Sequence, residues 1–251
     1  MALIQVGSLG EFSVVPLETA MKKLPAAQRI DTFSVLSQVT SQLPPLAFDF
    51  AVSRNERGLT LKSLQLKKEF GNFISRLFNA TSKIYFLAWA WDISGLSFYP
   101  GPAAAPSSCL IPLKGGEIRE FIGSGALLFP PRKITAGLAL RMQIWASRGK
   151  QRKFGKVMEE VASTIQGSEL NTVLLGMAGG AGVATGGVAG ALALVEPAAL
   201  ELAKLIGQIL AKAEDEFVDY FEGYFPAKEP WTKGAARYSG KGSTLVLNRL
   251  T

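Results

Sequence analysis

From Leu170 to Val195 the chain runs 26 residues without a charge, LNTVLLGMAGGAGVATGGVAGALALV, and seven of these residues are glycine and six alanine. As one helix the run would measure roughly 39 Å, more than the ~30 Å hydrocarbon core of a bilayer. Its nine Leu and Val residues favour insertion by only about 3–5 kcal/mol. Its glycines cost about 7 kcal/mol of helix propensity relative to alanine in water. Three readings follow. The run is a permanent anchor, or a core helix packed so closely that only glycine fits, or a helix packed in water and inserted when the protein meets a membrane. Gly176, Gly180, Gly182, Gly186 and Gly190 stand at GxxxG spacings, which permit close helix approach in lipid and in a tight soluble core. Marginal hydrophobicity suits the third reading, because a switch needs both states within a few kcal/mol.

The flanks extend this picture. Upstream lies a basic run containing Arg148, Lys150, Arg152, Lys153 and Lys156, expected to meet anionic headgroups. It leads into a short amphipathic stretch with Val157, Val161 and Ile165 on one face. Downstream, Glu196-Pro197 is expected to break the run, with Pro197 opening a new amphipathic helix to about Glu222. Leu202, Leu205, Ile206, Ile209, Ala213, Phe217, Tyr220 and Phe221 form its apolar side. Glu201, Lys204, Gln208, Lys212, Asp215 and Asp219 form the other. An uncharged Gly/Ala-rich segment paired with an amphipathic helix resembles the insertion elements of pore-forming toxins. That resemblance covers about 50 residues and implies insertion, close packing between protomers and a homo-oligomeric pore.

The rest of the chain reads as mixed. Phe33, Val35, Leu36, Val39 and Leu43 suggest one apolar helix face in residues 1–45, stopped by Pro44-Pro45. Residues 46–147 read as strands. Phe48, Phe50 and Val52 alternate with smaller or polar residues. Leu59 and Leu61 alternate with Thr60 and Lys62, and the phase then slips to Leu64 and Leu66, as at a bulge. Lys83 to Asp92 is apolar on both faces, which marks a central, doubly covered strand. Leu138, Leu140, Met142 and Ile144 alternate beside Arg141 and Gln143. Residues 148–228 are then the basic segment and helical hairpin, and 229–251 a loop and closing strand with Leu245 and Leu247 inward. The expected fold is α+β: an antiparallel β-sandwich, C2-like or similar, with an N-terminal helical region and a long helical hairpin inserted before the last strand.

Composition removes much chemistry. The chain has no His and one Cys. Cys/His zinc sites, CxxC motifs, an intramolecular disulfide and His-dependent nucleophilic catalysis are therefore excluded. Cys109, among prolines and small residues, reads as an inert, half-buried thiol. Gly176 to Gly182 lacks the βαβ context of a dinucleotide site, and Ser239-Gly-Lys241-Gly-Ser243-Thr244 misses the P-loop spacing. Glu214, Asp215, Glu216, Asp219 and Glu222 read as a solvated helix face, and Asp92 alone makes no calcium site. Trp89 and Trp91 read as core, while Trp145 and Phe154 suit a membrane interface.

The net charge is +7, concentrated in residues 1–168, which carry 20 Lys/Arg against 11 Asp/Glu. Such a balance suits an anionic membrane surface, and no nucleic-acid-binding pattern accompanies it, so nucleic acid is not expected as a partner. The first residues lack a basic leader, so the chain is expected to be cytoplasmic as synthesised and then released or injected. The expectation is a non-enzymatic, cofactor-free, membrane-active protein, a pore-forming toxin or defence factor. The alternative is a soluble structural or interaction module whose Gly-rich helix is core.

Overall fold

The computed structural model describes residues 3–7, 51–68, 81–101, 109–147, 151–178, 187–213 and 215–251. Among these, eleven strands form two antiparallel sheets and three helices cover one of them. In chain order they are β1 (Leu3–Gly7), β2 (Arg57–Leu66), β3 (Ser82–Asp92), β4 (Gly95–Tyr99), β5 (Ile111–Leu113), β6 (Ile118–Glu120), β7 (Ala126–Arg132) and β8 (Gly137–Ser147). After them come α1 (Gln151–Gln166), α2 (Glu169–Ala178), α3 (Gly187–Lys212), β9 (Glu216–Pro226), β10 (Gly234–Ser239) and β11 (Ser243–Leu250). The larger sheet has the order β1-β9-β8-β3-β4, with β5 also paired to β3. The smaller is β10-β11-β2-β6, with β7 also on β2.

The doubly apolar strand is the middle of the molecule. Ile84, Phe86, Ala88 and Ala90 of β3 face the second sheet, and Tyr85, Leu87, Trp89 and Trp91 face the helices. Successive side chains on a strand point to opposite faces, so a strand covered on both sides must be apolar throughout. In β2 the phase slip is a bulge. Val246 of β11 opposes Ser63 and Leu247 opposes Leu61, which leaves Lys62 unpaired. That one extra residue keeps Leu59, Leu61, Leu64 and Leu66 all fully buried between the sheets.

The helices cover the other face of the larger sheet. Phe154, Met158, Val161 and Ile165 of α1, Leu170 and Leu174 of α2, and Ala198, Ala199, Leu202, Ile206 and Leu210 of α3 are buried there. α1 stops at Gly167, whose amide bonds the Ser163 carbonyl at 2.9 Å. Ser168 then caps α2, its Oγ accepting from the Asn171 amide at 3.2 Å.

Three expectations change. The helix expected to reach Glu222 ends at Lys212, and residues 216–226 form β9, a strand paired on both sides with β1 and β8. Phe217, Val218, Tyr220, Phe221, Tyr224 and Phe225 are β-favouring types, and burial on a central strand outweighs the helical spacing of the acids. Glu196-Pro197 does not break the run, because α3 passes through Pro197 from Gly187. The ring removes the hydrogen bond to the Ala193 carbonyl, while Ala198, Ala199 and Leu202 beyond it are seated in the core. Three strands, not one, follow the helices, and β10 and β11 close the second sheet. The helix expected within residues 1–45 and the alternation at Phe48 and Phe50 lie outside the described residues, apart from β1.

Candidate functional site

Under the helices, the β8–β9 face carries a buried polar seam. Arg141 opposes Glu222 and Gln143 opposes Tyr220 across the ladder, so all four side chains share the helix-facing side. Arg141 is 1% exposed. Its Nη1 donates to the Tyr220 hydroxyl at 2.9 Å and its Nη2 to Glu222 Oε1 at 3.1 Å. The guanidinium also sits 5.7 Å from the centre of the Trp91 ring. Gln143 Nε2 donates to the Ala203 carbonyl of α3 at 2.9 Å, and its Oε1 accepts from Trp145 Nε1 at 3.0 Å.

Tyr85, on the same face, donates to Asp215 Oδ2 at 2.6 Å, just past the end of α3. Burial first, then the Asp215 charge and that hydrogen bond, hold the Tyr85 hydroxyl well above its ordinary value. The buried Trp89 Nε1 has no hydrogen-bond partner among the described residues. The helical layer therefore rests on a surface that is partly polar, with the Trp89 indole as an orphaned donor in it.

Of the acids expected on a solvated helix face, Asp215, Asp219 and Glu222 are structural partners. Asp219 is 2% exposed and lies between the sheets. Its oxygens accept from the amides of Lys241, Gly242 and Ser243 at 3.2, 3.0 and 2.6 Å and from Ser243 Oγ at 2.7 Å. The Ser239 to Thr244 turn, which misses the P-loop spacing, thus wraps an anion after all, and the anion is the chain's own carboxylate. Glu222 pairs with Arg141, and Glu214 lies outside the described residues. Asp92 is buried too, its carboxylate held by Arg132 at 2.8 Å and by the amide and hydroxyl of Ser94.

The residues singled out for membrane contact fall as follows. Gly176 lies in α2 and Gly190 in α3, and Gly180, Gly182 and Gly186 lie outside the described residues. Arg152 and Lys153 are in the first turn of α1, Lys156 is exposed on α1, and Arg148 and Lys150 lie outside the described residues. Trp145 and Phe154, read as interfacial, are instead buried at 3% and 2% exposure in the helix–sheet core. Cys109 is buried in that same core rather than half-buried. No described helix is long and apolar enough to cross a membrane. The seam itself was missed, because Arg141 and Gln143 alternate with apolar residues just as solvent-facing residues do. The sequence matches no protein-family model and no curated protein at a significant score.

Proposed function

We propose that the protein is non-enzymatic and membrane-active, and that its α2–α3 layer leaves the sheet to insert at an anionic membrane. The observation that carries this reading is the polar seam. Peeling a helix from a wholly apolar face exposes only apolar surface to water, at roughly 25 cal/mol per Å². Here the same step returns water to Arg141, Gln143, Glu222, Tyr220 and the orphaned Trp89 Nε1, which offsets part of that cost. The opened state is brought closer in energy, as a conditional insertion requires. Because the described helices are not membrane spans as folded, insertion needs refolding of the 170–195 run, with its glycines packing against other protomers in a pore. Exposed Lys156 and the rest of the 148–156 run make the first contact with headgroups. The finer architecture in this reading is a C2-like sandwich, with α2 and α3 as a hairpin. The setting is a chain made in the cytoplasm and then released or injected.

The test is dye release from liposomes with and without anionic lipid, beside co-flotation of the protein. Leakage and flotation that need anionic lipid, and leakage lost in Gly190→Leu with its melting temperature unchanged, support the proposal. No leakage and no flotation contradict it. A second reading, a soluble interaction module with a core helix, is favoured by the burial of Leu202, Ile206 and Leu210 at no more than 1% exposure. Unfolding of the soluble protein by Gly190→Leu supports that one.

A further inference from the structure

Away from the helices, the connection from β9 to β10 borders a half-open cavity of about 170 Å³ lined by Arg57, Phe225, Glu229, Pro230, Trp231 and Arg249. Arg57 is 3% exposed and clasps the connection. Its Nη1 donates to the Pro226 carbonyl at 2.7 Å, and its Nη2 donates to the carbonyls of Ala227 and, at 2.6 Å, Glu229. Carbonyls satisfy donors but neutralise no charge, and the Arg57 Nε has no hydrogen-bond partner among the described residues. Burial lowers the Arg57 pKa, Glu229 opposes that shift and Arg249 adds to it.

Arg249 is held differently. Its guanidinium lies 5.4 Å from the Trp231 ring centre and 5.6 Å from that of Phe225, and Arg57 lies 5.2 Å from the same indole. Among the described residues the Arg249 side chain makes no hydrogen bond or ion pair, so its fork of donors is unspent. Trp231 is fixed in turn, its Nε1 donating to the Leu250 carbonyl at 2.6 Å. Two cations and one acid surround a space walled by aromatic rings and proline. A 150 Å³ apolar cavity accepts benzene, so this one has room for a single ring.

We propose that the cavity binds a small aromatic carboxylate, with its ring against Trp231 and Phe225 and its carboxylate accepting hydrogen bonds from Arg249. The aromatic walls select the ring, and the free guanidinium selects a planar, bidentate anion. Arg57 adds field rather than contacts, since its Nη atoms are committed to the clasp.

The experiment follows the indole N–H resonance of Trp231 in the whole chain during titration with benzoate, benzyl alcohol and acetate. Benzoate is expected to give a saturable shift, with the neutral alcohol and the ringless anion each at least about tenfold weaker. Arg249→Gln is expected to weaken benzoate about tenfold while leaving the melting temperature in place. No saturable shift up to about 10 mM benzoate, equal binding of benzyl alcohol, or unchanged affinity in a folded Arg249→Gln overturns the proposal.

Discussion

Asp219 and Ser243 are joined twice, the Ser243 amide reaching Asp219 Oδ2 at 2.6 Å and its hydroxyl reaching the same oxygen at 2.7 Å. The pair ties β9 of one sheet to the first residue of β11 in the other, at a point where both residues are buried. An aspartate so placed is an internal ligand for a backbone nest that, left empty, would strand several donors away from water.

Asp219→Ala is expected to cost about 3 kcal/mol, since it leaves buried amides unpaired. Asp219→Asn should cost less, because one of its side-chain atoms still accepts. Urea denaturation measures both. Formate refills the vacated position in Asp219→Ala and raises its midpoint more than that of the parent. Equal stability of Asp219→Ala and the parent would refute the internal-ligand account.

Arg141→Ala is expected to cost about 3 kcal/mol, because Glu222 and the Tyr220 hydroxyl lose a buried charged partner. Arg141→Met leaves the same partners unpaired but keeps most of the volume, so it should cost less by the cavity that alanine opens. The difference between these two variants, read from urea midpoints, reports the cavity, and the cost that Arg141→Met retains reports the lost partner. An Arg141→Met variant as unstable as Arg141→Ala would mean that charge, not filling, is what the position requires.

Tyr85 sets an alkaline limit. Its folded-state pKa is raised above the ordinary value of 10, so the folded state favours the neutral phenol more strongly than the unfolded chain does. That contribution is complete below about pH 10 and is lost as pH rises toward the folded value. Stability of the parent should fall steeply above pH 10. Tyr85→Phe should flatten that limb and cost about 1 kcal/mol at neutral pH. Tyr99, also raised by burial and then by Cys109, leaves a residual slope.

Two glycines in the β6–β7 connection separate strain from space. Gly123 and Gly125 both have positive φ, 64° and 108°. A Cβ on Gly123 meets nothing within 4 Å, whereas one on Gly125 collides with the Leu61 carbonyl oxygen. Gly123→Ala should cost about 1 kcal/mol, the left-handed penalty alone. Gly125→Ala should cost at least about 2 kcal/mol more, in keeping with overpacking. Thermal melts decide it, and equal costs would contradict the close approach.

What the sequence made legible was the part whose partners are implied by local pattern. β3 announces double coverage by eight unbroken apolar residues, Ile84 to Trp91, and the bulge in β2 appears as a slip from Leu61 to Leu64. β9 was hidden for a physical reason. Asp215, Asp219 and Glu222 continue the three-to-four spacing of Glu201, Lys204, Gln208 and Lys212, while a bulge at Val218 breaks the strand alternation. Their partners, Tyr85, Ser243 and Arg141, are 130, 24 and 81 residues away, beyond the reach of any periodicity. The seam was hidden likewise, since Arg141 and Gln143 look solvated until helices later in the chain cover them.

Cys109 offers the most direct test of the central claim. It is the sole thiol in the chain, it is 5% exposed, and it lies in the core between helices and sheet. Its rate of reaction with a water-soluble maleimide therefore reads the opening of that layer in the unaltered protein. The account predicts slow labelling in buffer and with zwitterionic vesicles, and labelling at least about tenfold faster with anionic vesicles. The same slow rate under all three conditions would show that the helical layer stays on the sheet, and the insertion account would fall.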